Sequence, residues 1–259
     1  MPVSVHQEPQ RWAEEHFTGA KLTDIRRVAR VKKIAEAMAV HPGRSIPKLC
    51  RSPYAVKATY NLFKHEAATP EHLQSGHRAV VREAMRQPGV YRLLADTTEW
   101  SWSGKQPMAG LGPIGNSATG LQGCFSHTVL SGGWPDAPQD TSKRQPVEVL
   151  GLGDQPYDVR TPWRQPRESS QERLKRARES PGWTHASQRV GCAPEGVRWV
   201  RGADREADIY AYWVSCQELG HGFVIRAAKD RALRHPETGK RAGRLLTTAR
   251  NAVPLGELT

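Results

Sequence analysis

Residues 197–213, with the sequence VRWVRGADREADIYAYW, decide the fold of this chain. Val197 to Ala203 predict a strand, and this strand ends on an acidic residue, Asp204. The residues from Arg205 to Trp213 then predict the beginning of a helix, which Gly220-His221-Gly222 ends. This order of strand, acidic residue and helix indicates an α/β unit with a carboxylate at one end of the strand.

An earlier strand has the same ending. Val90 to Ala95 is a short apolar run that leads into Asp96-Thr97-Thr98, which predicts a buried strand with a carboxylate near its end. A single aspartate at a strand end or a helix N-cap is common for structural reasons alone. Two on neighbouring strands would bring two carboxylates to one edge of a sheet, and Mg²⁺ prefers such oxygen ligands. Asp96 and Asp204 are therefore the candidate catalytic and metal-binding residues, with Mg²⁺ as cofactor and Mn²⁺ as its substitute.

Further strands are predicted around these two. They are a second strand through Trp100 and Trp102, then Cys124 to Leu130 after a glycine-rich loop from Gly104 to Gly123, then Val147 to Leu152 and Phe223 to Arg226. A solvated helix is predicted from Glu168 to Glu179 and is ended by Ser180-Pro181-Gly182. We therefore expect a mixed-sheet α/β domain over residues 90–259.

The chain before this sheet predicts a basic helix between the N-cap Thr23-Asp24 and the stop His41-Pro42-Gly43. Its apolar residues recur at helical spacing, at Ile25, Val28, Val31, Ala35 and Met38. A different face carries the cations Arg26, Arg30 and Lys33, with Arg27 beside them. Almost no acidic residues interleave, so pairing within the helix is not their purpose. We interpret the stripe as a contact for DNA phosphates; the alternative is an ordinary solvated face.

Two more helices are predicted downstream. One begins at Ser52-Pro53 and carries Lys57, and the next begins at Thr69-Pro70-Glu71 and runs to about Arg86. Pro88-Gly89 then ends the helical part. The chain is thus predicted to be α+β, with a small all-helical DNA-binding domain at residues 1–89 followed by the sheet domain.

The net charge of +12 is unevenly distributed. Residues 1–89 carry 15 Lys/Arg and 8 Asp/Glu, residues 90–225 carry 15 of each, and residues 226–250 carry 8 and 2. Two basic zones therefore flank a neutral middle, and we expect the second to be a basic C-terminal tail. Such a layout suits a polyanion held from two sides, whereas a merely basic protein is the alternative.

The remaining composition excludes several classes of protein. No stretch approaches the roughly 20 apolar residues of a membrane helix, and residues 1–12 lack the layout of a signal peptide. Cys50, Cys124, Cys192 and Cys216 lie far apart without zinc-finger spacing, which favours free thiols in a reducing compartment. We expect a cytoplasmic, nucleoid-associated protein with no membrane partner.

Several segments resemble one family in matching order. Gly202 to Tyr212 resembles the "DREAD" segment of the insertion-sequence-four-like transposases, a DDE group that includes the transposase of transposon five. Leu94 to Thr98 is similar to the first acidic strand of that group. Upstream, Trp12-Ala13 through Arg30, Gly43 to Ile46 and Ala58 to Phe63 resemble its N-terminal DNA-binding segment.

The resemblance implies an RNase H-like fold in which Asp96 and Asp204 are two members of a DDE metal-binding triad. It also implies that Arg26, Arg27, Arg30 and Lys33 lie in the domain that holds the transposon end. Arg205, Glu206 and Arg226 match positions near the active site of the family. For these three, a salt bridge within the fold is an equally good interpretation. The implied partner is double-stranded DNA, both as transposon ends and as target.

The sequence departs from the family in its last part. The family places its third carboxylate on a later helix, within a signature of tyrosine, arginine, glutamate and lysine. No Tyr occurs after Tyr212 here, and Glu237 and Glu257, the Glu residues after Glu218, lie in different settings. We therefore expect an incomplete RNase H-like domain with no third catalytic carboxylate, and without the C-terminal region through which the family self-associates.

Three hypotheses follow from these observations. The first is a transposase for cut-and-paste transposition, whose two aspartates bind Mg²⁺ for phosphodiester cleavage and strand transfer. The second is a truncated, catalytically inactive remnant of a mobile element that only binds DNA. The third is an unrelated basic α/β protein in which both aspartates are structural.

Overall fold

The computed structural model describes residues 8–104, 106, 108–115, 120–134, 147–160 and 181–253. Its helices are α1 (Pro9–Phe17), α2 (Ile25–Val40), α3 (Ile46–Leu49), α4 (Pro53–Phe63), α5 (Pro70–Leu73), α6 (Ser75–Ala84), α7 (Pro181–Val190), α8 (Tyr210–Glu218) and α9 (Leu245–Asn251). A 3₁₀ turn covers Arg205–Ala207. The strands are β1 (Gly89–Trp102), β2 (Gly112–Pro113), β3 (Gln122–Trp134), β4 (Glu148–Asp154), β5 (Tyr157–Asp158), β6 (Val197–Ala203), β7 (Gly222–Ile225), β8 (Ala232–Arg234) and β9 (Arg241–Arg244).

The N-terminal helices begin where capping residues occur in the sequence. The side chain of Asp24 accepts a hydrogen bond from Arg26 N at the start of α2. Ser52 caps α4 and Thr69 caps α5 in the same way, each directly before a proline. Because a proline at the first helical position needs no hydrogen-bond partner, these pairs define helix starts. The predicted starts of all three helices are confirmed.

The main sheet is mixed. Its strand order is β2-β3-β1-β6-β7, with β4 and β5 also pairing with β3. Strand β1 is antiparallel to β3 but parallel to β6, and β6 is parallel to β7. Helices α7 and α8, directly before and after β6 in the described chain, pack in one hydrophobic cluster with β1 and β6. The arrangement confirms the predicted α+β class with a helical N-terminal region and a mixed sheet.

Several segments differ from the sequence-based expectation. Trp100 and Trp102 continue strand β1 instead of starting a new strand, because β3 pairs with β1 without interruption as far as Gln122. Pro181 begins helix α7, where we expected a helix to end. The expected basic tail at 226–250 contains the β8–β9 hairpin and α9. The helix predicted from Glu168 to Glu179 lies outside the described residues.

Two hydrophobic clusters organise the described part of the chain. The smaller one joins α2 and α4 with the segment between α1 and α2, through Ala20, Leu22, Val31 and Leu62. The larger one lies between the sheet and the helices α6, α7 and α8. Helix α6 contributes Val81 to this larger core, although the sequence placed it in the N-terminal domain ending at residue 89. Helix α6 therefore connects the helical part to the sheet.

A buried ion-pair network fixes α6 to the sheet. Asp154, fully buried at the end of β4, accepts hydrogen bonds from Arg78 of α6 at 2.6 Å and from Arg189 of α7 at 2.7 Å. Both arginines also pair with Glu71 of α5, and the hydrogen bond from Arg78 is the main reason why the pKa of Glu71 falls to about 2. The network joins four elements from three parts of the sequence.

We expect Asp154→Asn to destabilise the protein by about 3–5 kcal/mol, because Arg78 and Arg189 lose the buried one of the two carboxylates that they share and keep only the exposed Glu71. Urea unfolding followed by circular dichroism measures the free energy of unfolding. The matched control is Glu83→Gln, which removes a carboxylate whose pair with Arg86 is exposed and 4.0 Å long. Equal effects of the two substitutions would show that the Asp154 network does not hold the fold.

Two histidines form a second connection at the same junction. His77 Nε2 accepts a hydrogen bond of 2.8 Å from Leu152 N, so the proton of a neutral His77 lies on Nδ1. Nδ1 then donates to His16 Nδ1 of α1 at 2.9 Å. Burial is the largest cause that lowers the pKa of His77, to about 4, and the nearby His16 and Arg78 lower it further. The connection therefore requires the neutral form of His77.

This pKa shift predicts a pH dependence of stability. The unfolded chain protonates His77 near pH 6.5, whereas the folded chain does so only near pH 4. Folding stability is therefore complete above pH 6.5 and is lost as the pH falls toward 4, by up to about 1.4 kcal/mol per pH unit for this group. In urea unfolding at several pH values, His77→Gln should reduce the slope in this window by up to that amount, while His127 and His221, whose pKa values burial also lowers to about 4, maintain the rest. His41→Gln, at an exposed position, should leave the slope unchanged.

Candidate nucleic-acid interface and acidic sheet edge

The parallel pairing of β1, β6 and β7 stops at one level of the sheet, where β6 and β7 end and β1 continues to Trp102. Ala95 of β1 is in register with Ala203 of β6, which is in register with Ile225 of β7. The next residue of each strand is Asp96, Asp204 and Arg226 respectively. Arg226 N also donates a hydrogen bond to Ala203 O at 3.2 Å, which extends the β7 pairing to that residue. The structure thus places three of the predicted site residues next to one another along this edge.

Each aspartate uses one carboxylate oxygen for its own backbone. Asp96 Oδ1 accepts from Thr97 N at 2.9 Å, and Asp204 Oδ1 accepts from Glu206 N at 2.8 Å, which caps the 3₁₀ turn. Both residues are exposed. Within the described ranges, neither Oδ2 accepts a hydrogen bond and no Lys or Arg forms an ion pair with either residue. Asp204 therefore caps the 3₁₀ turn. In both aspartates the second carboxylate oxygen has no described hydrogen-bond partner.

Asp208 does not belong to this open edge. Its side chain is almost fully buried; Oδ1 accepts from Arg231 Nη1 at 2.5 Å and Oδ2 from Ala228 N at 2.7 Å. Burial acts to raise the pKa of Asp208, but these hydrogen bonds outweigh it and hold the pKa below its usual value. Among the residues with described placement, no group of three His, Cys, Asp or Glu side chains could hold a metal ion.

A buried histidine lies behind Asp96. The ring of His127 on β3 makes a 3.0 Å hydrogen bond with Thr97 Oγ1 and contacts the edge of Trp183 at a centroid distance of 4.3 Å. Burial is the main reason why its pKa falls to about 4, and the charge of Arg201 lowers it further. His127 is therefore neutral at pH 7, and its hydrogen bond with Thr97 joins the side chains of β3 and β1 beside Asp96.

The four cations of α2 that were predicted to contact phosphates differ in their exposure and in the partners they already have. The side chain of Arg26 is 89% exposed although it pairs with the cap residue Asp24, and Lys33 is exposed on the same side of the helix. Arg30, on that side too, is half-buried. Arg27 instead donates to Leu22 O at 3.3 Å and Thr23 Oγ1 at 3.0 Å, so it holds the turn before the helix. Arg26, Arg30 and Lys33 are thus better placed for phosphate than Arg27.

The apolar face of α2 is shifted from the predicted one. Ile25 is 83% exposed and Met38 is 45% exposed, whereas Ile34, absent from the predicted face, is buried. Ile25 is the first residue of the helix and lies beyond the cluster formed with Ala20, Leu22 and Leu62. Its exposure next to Arg26 adds apolar surface to the basic end of the helix.

The sequence analysis did not identify the start of α4 as part of this surface. Tyr54 is 77% exposed and lies close enough to Arg26 to contribute to its raised pKa, after the larger effect of Asp24. Arg51 and Lys57 line a depression beside it. An exposed aromatic ring among cations can stack on a nucleic-acid base while the cations contact phosphates. The sequence signal for this surface is Tyr54, an aromatic residue directly after the Ser52-Pro53 helix start, with Arg51 before it and Lys57 after it.

Exposed cations along one side of a helix are the electrostatic footprint expected of a nucleic-acid-binding surface. Residues 9–68, which span α1 to α4, match the family model described as transposase DNA-binding. This part of the chain is therefore a transposase-type DNA-binding domain, and DNA is its partner. Among the described residues, no helix is long and apolar enough to cross a membrane.

We expect the triple substitution of Arg26, Arg30 and Lys33 to alanine to reduce the salt dependence of duplex binding. Each lost phosphate contact should lower the slope of log K against log salt concentration by about 0.9. Fluorescence anisotropy with a labelled duplex at several salt concentrations measures this slope. Arg86→Ala is the control. Arg86 is an exposed cation outside α2, three residues before β1 begins at Gly89. An unchanged slope in the triple variant would exclude α2 as the phosphate-contacting surface.

Proposed function

We propose that this protein acts as a DDE-type transposase of the insertion-sequence-four-like group. The N-terminal helices bind transposon-end DNA, and Asp96 and Asp204 bind Mg²⁺ for phosphodiester cleavage and strand transfer. One observation carries the proposal: the parallel register of β1 and β6 brings these two aspartates to the same sheet edge, in a chain with a transposase-type DNA-binding domain. The mixed sheet around them supports an RNase H-like fold.

The residues at this edge fit a magnesium ion. Mg²⁺ is commonly held by one or two carboxylates, with waters and substrate phosphates completing its octahedral shell. Asp96 and Asp204 are exposed, each has one oxygen without a hydrogen bond within the described residues, and no described cation pairs with them. When bound, the ion would supply a more acidic water or 3′-hydroxyl and charge stabilisation at the phosphate.

The cations beside the aspartates complement this chemistry. Arg226 continues the same edge on β7, and Arg205 follows Asp204 directly; both are exposed. Within the described ranges, neither arginine forms an ion pair with an acidic side chain. Their role in the proposal is to hold the non-bridging oxygens of the phosphate and to orient it toward the aspartates.

DNA binding without cleavage is the second candidate function. It is favoured by the finding that, in the described ranges, only two carboxylates meet at the edge and Asp208 is held by Arg231. Two acidic ligands alone fix an ion less firmly than three, and loss of geometry at a reacting centre can reduce the rate about a hundredfold. We therefore expect DNA and ion binding to be stronger features of these 259 residues than catalysis.

We expect Mn²⁺, used as a spectroscopic substitute for Mg²⁺, to bind at this edge in a titration followed by electron paramagnetic resonance. Asp96→Asn and Asp204→Asn should each weaken binding by at least about tenfold, since even outer-sphere partners contribute about 10–100-fold to metal affinity. Asp158→Asn is the matched control because Asp158 is an exposed strand carboxylate elsewhere on the sheet. Equal affinity in all four proteins would refute the metal site.

A cleavage assay separates the two candidate functions. Labelled transposon-end DNA is incubated with the protein and Mg²⁺ or Mn²⁺, and the products are separated by electrophoresis. Metal-dependent nicking that disappears in Asp96→Asn and Asp204→Asn would establish the transposase function. Duplex binding with no nicking under either metal would support the DNA-binding function alone.

A further inference from the structure

The β8–β9 hairpin carries a dense cluster of positive charge. Its cations are Arg234, Lys240, Arg241 and Arg244, and all four residues are exposed. The acidic residue within the hairpin is Glu237, in the turn between the strands. The hairpin therefore has a net positive charge and projects it into solvent, in contrast to the neutral sheet that precedes it.

A β-bulge collects three of these arginines on one face. Ala232 pairs with Arg244 and Arg234 pairs with Arg241, so two steps along β8 correspond to three steps along β9. In a regular strand, residues three positions apart point to opposite faces. The extra residue of the bulge restores the alignment, so Arg241 and Arg244 share the face on which Arg234 lies. The irregularity in the strand thus concentrates the charge.

This concentration opposes the stability of the hairpin. Arg234 and Arg241 are direct cross-strand partners, and like charges in that position repel each other. Arg234 donates to Gly239 O and Arg244 to Asp230 O, both backbone carbonyls, which leave the positive charge uncompensated. No described acidic residue pairs with Arg234, Arg241 or Arg244. An anion bound from outside would relieve the repulsion.

Asp208 holds the hairpin to the body of the protein. Arg231, which precedes β8, donates to Asp208 Oδ1 at 2.5 Å and to Asp208 O at 2.6 Å. Its guanidinium also lies over the ring of Trp213 on α8, at 4.7 Å from the centroid. The backbone N–H groups of Ala228 and Lys229 donate to Asp208 Oδ2. A buried carboxylate thus fixes the segment that leads into the hairpin.

The same contacts relate the hairpin to the acidic edge. Asp208 lies at the end of the 3₁₀ turn that Asp204 caps, and the fixed segment starts after Arg226 on the same edge. The segment that leads to the hairpin thus begins directly after Arg226 and is held by Asp208, four residues after Asp204. While Asp208 binds Arg231, the base of the hairpin is therefore attached next to the edge that carries Asp204.

We propose that the β8–β9 hairpin is a second DNA-binding surface, which contacts backbone phosphates beside the acidic edge through Arg234, Arg241 and Arg244. Asp208 is its positioning residue. This proposal rests on the proposed function, because it takes duplex DNA as the ligand of the protein. It adds a contact separate from α2 that requires no base sequence, since phosphates are the same in every sequence.

The experiment uses the full chain and a labelled duplex in anisotropy titrations at several salt concentrations. The test variant is the double substitution Arg234→Ala with Arg241→Ala, and the control is Arg86→Ala. The double variant should reduce the salt slope by about 1.8, or about 0.9 per lost contact. Its thermal unfolding temperature should be unchanged or higher, because a repulsive pair has been removed.

Asp208→Asn tests the positioning role. It should reduce the salt slope in the same direction while every cation of the hairpin remains, a result that loss of charge cannot produce. Adding the double substitution to Asp208→Asn should then cause less further loss than it does in the native chain. Full additivity of the two changes would show that Asp208 does not position the hairpin.

The outcomes distinguish this proposal from the one it rests on. A slope that responds to the α2 triple variant but not to the hairpin double variant would overturn the second surface and leave DNA binding intact. Absence of duplex binding by the native chain, at any salt concentration, would overturn the proposed function and this proposal with it. Additive losses from the α2 and hairpin variants would confirm two separate phosphate-binding surfaces.

Discussion

The parallel pairing of β1 with β6 is the constraint on which the functional edge depends. Its register runs from Gly89 and Val197 to Ala95 and Ala203. It is fixed by alternation, because Tyr91, Leu93 and Ala95 on β1, like Trp199 and Arg201 on β6, face the buried side. A shift by one residue would turn those side chains toward solvent and separate the two aspartates. The packing of the core thus determines whether Asp96 and Asp204 can share an ion.

The sequence predicted this edge because the signals for it are local. An apolar run followed by an aspartate predicts a strand and its end. The predicted end is correct at Asp204, which directly follows β6, but wrong at Asp96, because β1 continues to Trp102. Their proximity was a prediction about pairing, which no local pattern determines. The contribution of Arg226 to the same edge was expected only through a family resemblance, and the β6–β7 register now gives it a geometric reason.

The sequence-based predictions are wrong where one residue type is compatible with two different structures. Pro181 and Gly182 were interpreted as a helix stop, but proline is equally suited to the first turn, and Trp183, Ala186 and Val190 follow on one buried face. The basic segment after Arg226 was interpreted as a tail because charge dominates its composition. Its fold depends on Asp208, a long-range partner that the charge pattern does not reveal. The helical spacing predicts that Ile25 is buried, but the hydrophobic cluster of α2 does not reach this first residue of the helix.

An exposed pair of carboxylates presents a physical problem for a protein that binds DNA. Two negative groups at the edge repel phosphates, and the neutral balance of residues 90–225 offers little to offset this. At the edge itself only Arg205 and Arg226 lie beside the aspartates, so further cations have to come from other elements, and exposed ones lie on α2 and the β8–β9 hairpin. Two separate surfaces bind with a higher effective affinity than either alone when their geometry allows both to engage one ligand. On this view the basic elements provide most of the affinity, and because no described cation pairs with Asp96 or Asp204, a metal ion can neutralise the two carboxylates.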